Sequence, residues 1–177
     1  MSVKKILPLA ASIIKLFIII ILFNCNSNAQ ENNIKYYSND KGILSLMYHR
    51  FDETKYPSTN IQMSVFKKQM EIIKNLNYEF YDPKDLEDNF SLIKTQKKIL
   101  LTIDDAFLSF YQSAWPYLKK EKIPFILFVS TEPIGKNGYM NWQQIKEIEK
   151  ESFAYIGHHS HTHDYLVDLK HNDFIKD

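Results

Sequence analysis

This 177-residue chain carries a single cysteine, Cys25, and it lies in the N-terminal apolar region. Residues beyond it can form no disulfide, which neither requires nor excludes an oxidising compartment. An excess of charge of either sign is also missing. The 22 basic residues face 21 acidic ones for a formal charge of +1, so charge gives no reason to expect nucleic acid or an acidic surface as a partner. No apolar run reaches the ~20 residues that span a bilayer comfortably, because Lys15 interrupts the N-terminal one and leaves Leu16–Phe23 unbroken. There is no internal repeat, and biased composition is confined to an Asn-rich stretch from Asn24 to Asn33. What remains, 45% hydrophobic and 14% aromatic, is the composition of one globular domain.

The N-terminus has the layout of an export signal. Lys4 and Lys5 precede the apolar segment Ile6–Phe23, and Ser27-Asn28-Ala29 puts small residues at both positions a signal peptidase reads, so cleavage before Gln30 is expected. Retention of the segment as an anchor is the alternative. A lipoprotein site at Cys25 is a third reading, which Asn24 fits poorly. The predicted organisation is a signal peptide or membrane anchor over 1–29, a polar linker over 30–41 and one domain over 42–177. The protein is then exported to the periplasm, the extracellular space or the membrane surface, touching the membrane only through its N-terminal segment.

From Gly42 onward, strand-length apolar runs alternate with helical patterns, which predicts an α/β fold with a parallel sheet. The strands are expected at Ile43–Tyr48, Glu79–Tyr81, Ile99–Ile103, Phe125–Val129 and Ala154–Gly157, all rich in β-branched and aromatic residues. Phe66, Met70, Ile73 and Leu76 give Val65–Leu76 an apolar face, with Ser64 as its expected cap. Pro83 opens a short helix, and Phe107–Glu121 and Trp142–Lys150 form longer crossovers. Asn141 followed by Gln144 reads as the capping box of the last. Lys94–Lys98 and Glu147–Lys150 read as solvated surface.

Two polar clusters interrupt this pattern at strand ends. Asp104-Asp105 closes the apolar run that starts at Ile99, and His158-His159-Ser160-His161-Thr162-His163 follows the last strand. His49-Arg50 follows the first, so three separated segments could meet where the strands end. A carboxylate pair offers an oxygen ligand and a general base, and two imidazoles complete a donor set for a divalent ion that activates water. Taken alone, an Asp-Asp pair is more often a helix cap and a loop residue. His49 likewise reads as a rim residue, His171 as surface, His158 and His161 as neighbours of a site rather than participants, and Tyr139, Trp142 and Phe110 as packing.

Around these clusters the sequence resembles a known family. Leu101-Thr102-Ile103-Asp104-Asp105-Ala106-Phe107 is similar to the Thr-Phe-Asp-Asp-Gly motif of the polysaccharide deacetylases, the carbohydrate esterase family 4 or NodB-homology proteins. His159-Ser160-His161-Thr162-His163 is similar to their His-Ser/Thr-x-x-His motif. Leu46-Met47-Tyr48-His49-Arg50-Phe51, Trp115-Pro116-Tyr117-Leu118, Ile123-Pro124-Phe125 and Phe128-Val129 follow the family in the same order, and the order is more specific than any one motif.

The resemblance implies a distorted parallel (β/α) barrel and a metal-dependent hydrolase that removes N-acetyl groups from N-acetylglucosamine-containing glycans such as chitooligosaccharide, poly-N-acetylglucosamine or peptidoglycan. It implies Asp105, His159 and His163 as ligands of a divalent ion, zinc by default with cobalt or nickel as alternatives, and Asp104 as the base. His49 and Arg50 are candidates for substrate contact. The family's later motifs, an arginine-containing groove segment and a histidine acting as general acid, have no counterpart after His163. Ala106 stands where the family has glycine, a substitution that crowds the turn if a positive φ is needed. The expectation is therefore a barrel incomplete at its C-terminus. Two alternatives stay open: a truncated, inactive relative that binds metal and glycan without turnover, and a non-haem iron oxygenase built on the same two histidines and carboxylate. The second aspartate and the motif order speak against the oxygenase.

Overall fold

A computed structural model describes residues 43–89 and 97–177. The predicted export segment with Cys25, the linker, and the lysine-rich turn up to Gln96 lie outside the described residues. The elements run β1 (Leu44–Tyr48), β2 (Arg50–Phe51), β3 (Asn60–Ile61), α1 (Met63–Asn75), β4 (Glu79–Phe80), α2 (Lys84–Asn89) and β5 (Lys98–Asp104). A π-helical turn (Phe110–Ala114) leads into α3 (Trp115–Glu121), followed by β6 (Phe125–Val129), α4 (Trp142–Glu149), β7 (Ala154–His158), a 3₁₀ turn (Leu166–Asp168) and α5 (His171–Lys176).

Each expected strand is present, and every pairing between them is parallel. The main sheet runs β1-β5-β6-β7, with β4 pairing the start of β5. Strands buried on both faces read as continuous apolar runs rather than alternating ones; β5 fits that pattern best, whereas β1 leaves Leu44 and Met47 exposed. Leu101, Ile103, Phe125 and Leu127 are fully buried. The register aligns Asp104 with Phe128 and Phe128 with Gly157. Consequently, the chain leaves β1, β5 and β7 at one end of the sheet, immediately before His49, Asp105 and His159.

Aromatic rings fill the space between sheet and helices. Phe51 meets Phe66 edge-on at 5.2 Å, Tyr48 meets Phe66 at 5.0 Å, and Phe110 meets Phe125 at 5.6 Å, contacts worth about 0.5–1.5 kcal/mol each beyond their burial. Met63, Phe66, Met70 and Ile73 form the buried stripe of α1, the spacing of one helical face. Two expectations for this helix are corrected. Leu76 lies just past the last turn and is 57% exposed. Ser64 does not cap it; the Met63 N–H donates to Asp52 Oδ1 at 2.7 Å, so the cap comes from the excursion between β2 and β3.

The capping box of α4 is present as expected. The Gln144 N–H donates to Asn141 Oδ1 and the Asn141 N–H to Gln144 Oε1, both at 2.9 Å. Trp142, read as a packing residue, is instead 48% exposed at the first turn of α4. The crossover expected over Phe107–Glu121 becomes helical at Leu108 and passes through a wide turn over Phe110–Ala114, in which the Trp115 N–H reaches back to the Phe110 carbonyl. Pro116 follows, without an N–H to continue an ordinary ladder, in the first turn of α3 where proline is tolerated.

Candidate metal centre

Asp104 is the last residue of β5 and is 7% exposed. Asp105 and Ala106 then take φ values of 72° and 55°, two consecutive left-handed residues of which neither is glycine. The positive φ anticipated at the family's glycine position is therefore real, and a buried alanine occupies it. Such a conformation costs about 1–2 kcal/mol per residue and persists where neighbours over-determine it. Here the Met140 N–H donates to the Ala106 carbonyl and the Leu108 N–H to the Gly138 carbonyl, both at 2.9 Å.

The histidine loop is pinned in the same way. Ser130 Oγ donates to the His159 carbonyl at 2.7 Å, and the Glu132 N–H donates to the His161 carbonyl at 2.9 Å. Within the loop the His163 N–H donates to Ser160 Oγ at 3.0 Å, with Ser160 and His163 both at positive φ. The serine between the histidines was visible in sequence, but its use as an internal brace was not.

These two loops bring Asp105, His159 and His163 together. Asp105 Oδ1 lies 3.2 Å from His163 Nε2 and 3.6 Å from His159 Nε2, and one ligand atom from each residue falls within 4.8 Å of the others. Asp105 Oδ1 is shut off from solvent, yet no hydrogen bond among the described residues satisfies it. A buried, unbonded carboxylate oxygen facing two imidazole nitrogens suits a cation better than it suits a hydrogen-bond network. An open cleft of about 420 Å³, lined in part by His158, His159, His163 and Leu166, adjoins this group, leaving room for further ligands.

Asp104 stands beside the triad with its Oδ2 at 3.9 Å from His49 Nε2, and its Oδ1 too is buried without a hydrogen bond among the described residues. Burial pushes the Asp104 carboxyl above its ordinary value; the His49 and His159 imidazoles pull it back, Asp105 adds to the rise and His163 opposes it. His49 is thus brought to the site. Arg50 is turned the other way, against Glu53, Tyr56 and Phe107. His158 Nδ1 accepts from the Ser160 N–H at 3.3 Å within its own loop, and His161 Nδ1 pairs with Thr131 Oγ1 of the loop after β6 at 2.8 Å.

A parallel sheet that gathers a carboxylate and two imidazoles at its carboxyl end, beside a second buried carboxylate, defines a protein of the (β/α)-barrel type with a polar centre at its strand ends. The family model for polysaccharide deacetylases matches residues 92–177. YxkH of Bacillus subtilis, named for the polysaccharide deacetylases, is 30% identical over 127 residues, 68% of this chain and 42% of that protein. The poly-β-1,6-N-acetyl-D-glucosamine N-deacetylase of Staphylococcus aureus is 26% identical over 171 residues, 85% of this chain and 58% of the enzyme. The solved structure of IcaB from Ammonifex degensii superposes with a TM-score of 0.60 at 32% identity, covering 67% of this chain and 53% of that one. The chain belongs to the polysaccharide deacetylase family, carries part of its barrel domain, and spans about half the length of these relatives.

Proposed function

We propose that this protein is a metal-dependent hydrolase that removes N-acetyl groups from an N-acetylglucosamine-containing polysaccharide, with poly-β-1,6-N-acetylglucosamine as the first substrate to test. The observation that carries the proposal is the convergence of Asp105 Oδ1, His159 Nε2 and His163 Nε2 beside the buried Asp104. The named activity of the Staphylococcus aureus relative supports the substrate. The deacetylase part is residues 42–177, delivered outside the cytoplasm by the N-terminal 1–29 segment.

Asp105, His159 and His163 hold the cation, with zinc favoured for a mixed nitrogen and oxygen donor set and cobalt or nickel as substitutes. A divalent ion seated there supplies Lewis acidity, lowering the pKa of water toward ~7 and polarising the amide carbonyl. Asp104 takes the proton of the attacking water, and its burial makes it a stronger base than a solvated carboxylate. Water adds to the acetyl carbonyl, the carbon–nitrogen bond breaks, and acetate and a free amine leave. His49, in contact with Asp104, is assigned to the proton that the leaving nitrogen requires.

The test is acetate release from N-acetylglucosamine oligomers by the purified chain, with zinc or with chelator. Asp104→Asn should keep the metal and lose about 10²–10⁴ in rate. A folded, metal-loaded chain that releases no acetate would favour glycan binding without turnover instead.

A further inference from the structure

The turn that presents Asp105 needs more support than its two backbone hydrogen bonds, since Asp105 and Ala106 are both left-handed and such residues persist only where the surroundings fix them. The next residue supplies a handle. Phe107 pairs across an antiparallel bridge with Tyr139, their rings 4.9 Å apart, and its exposed side is covered by Arg50, whose Cζ stands 3.4 Å from the ring centroid. Tyr56 covers Arg50 in turn, at 4.4 Å. Arg50 Nη1 also donates to both Glu53 oxygens, at 3.0 and 3.3 Å.

We propose that Arg50 is a positioning residue: its guanidinium, sandwiched between Tyr56 and Phe107 and anchored on Glu53, clamps Phe107 and so holds the Asp105-Ala106 turn in the conformation that aims Asp105 at His159 and His163. The functional consequence rests on the metal-centre reading above; the clamp itself rests on packing alone. Two rings pack against the guanidinium and only 15% of the Arg50 side chain is exposed, so it has little left to offer a substrate. A planar cation is required. Lysine could keep the pair with Glu53 but could not stack flat between two rings.

Two readouts on the full chain separate the clamp from the metal reading. The first is amide hydrogen exchange without metal, at Leu108 and Met140, whose N–H groups hold the turn, with Ile145 in α4 as a control. Arg50→Met and Phe107→Leu should each lower protection at Leu108 and Met140 by about tenfold and leave Ile145 unchanged, and Arg50→Lys should follow Arg50→Met. The second is Co²⁺ affinity from its visible absorption, expected to weaken by about 10- to 100-fold in the same three variants, as for other residues that orient metal ligands.

Unchanged protection in Arg50→Met, a loss shared equally by Ile145, or full rescue by Arg50→Lys would each overturn the clamp. Local loss of protection with unaltered Co²⁺ affinity would overturn its positioning role. A parent chain that shows no Co²⁺ band while Arg50→Met still loosens the turn would sink the metal reading and leave the clamp standing.

Discussion

Replacing Gly157 by alanine adds one methyl group to β7, and the sheet register dictates what that methyl meets. Gly157 lies opposite Phe128 of β6. A Cβ built on it falls 2.5 and 2.6 Å from two Phe128 ring carbons and 3.2 Å from Ile126 Cγ2. Non-bonded carbons rest at ~3.5–4.0 Å, so the ring must withdraw by about 1 Å. His159 lies nearby, its ring centroid 6.3 Å from that of Phe128. Overpacking on this scale costs about 1–3 kcal/mol, while alanine recovers about 0.5–1 kcal/mol over glycine within a strand. The net expectation is a loss of about 1–2 kcal/mol, read in thermal unfolding as a fall in Tm of roughly 3–8 °C. In a Phe128→Ala background the obstacle is gone, and Gly157→Ala should become neutral or stabilising. Equal losses in both backgrounds, or a single variant as stable as its parent, would refute the steric argument.

Zinc at about 100 times its Kd should stabilise the chain by about 2.7 kcal/mol, and chelator should remove that gain. Asp105→Asn and His163→Ala should lose most of it, and undiminished zinc stabilisation in both would exclude them as ligands. Asn141→Ala removes the side-chain carbonyl that caps α4 and should cost about 1 kcal/mol in urea unfolding, whereas an unchanged midpoint would mean that the box contributes nothing.

Features set by short, contiguous stretches were legible in the sequence. The strands announced themselves as β-branched and aromatic runs, because a parallel sheet buries both faces. The site donors were legible because their chemistry is packed into two brief motifs, and the Asn141 box because capping is local. What escaped was whatever depends on a distant partner. Asp52 reaches α1 from outside the helix, so Ser64 was the wrong cap to name. The two-residue ladder of β2 with β3 is too short to leave a pattern. Arg50 read as a candidate substrate contact beside His49, and only the folded chain brings Phe107 against it. The left-handed turn at Asp105 and Ala106 was hinted at by the family's glycine, since alanine disfavours that conformation and the enrichment of aspartate in it is too weak to announce a turn.

The three donor residues also have a timing implication, because they are supplied by β5 and by the loop after β7, with β6 lying between those strands in the sheet. A nascent chain that has paired β1 with β5 owns Asp105 but neither His159 nor His163. Two further crossovers must close before the second strand end arrives, and non-local pairings of this kind form late. On the proposed metal reading, cation affinity would therefore mark a chain whose strands have all paired: an incompletely folded molecule would lack the assembled donor set, and a seated ion would tie the last-arriving segment to the first-formed part of the sheet.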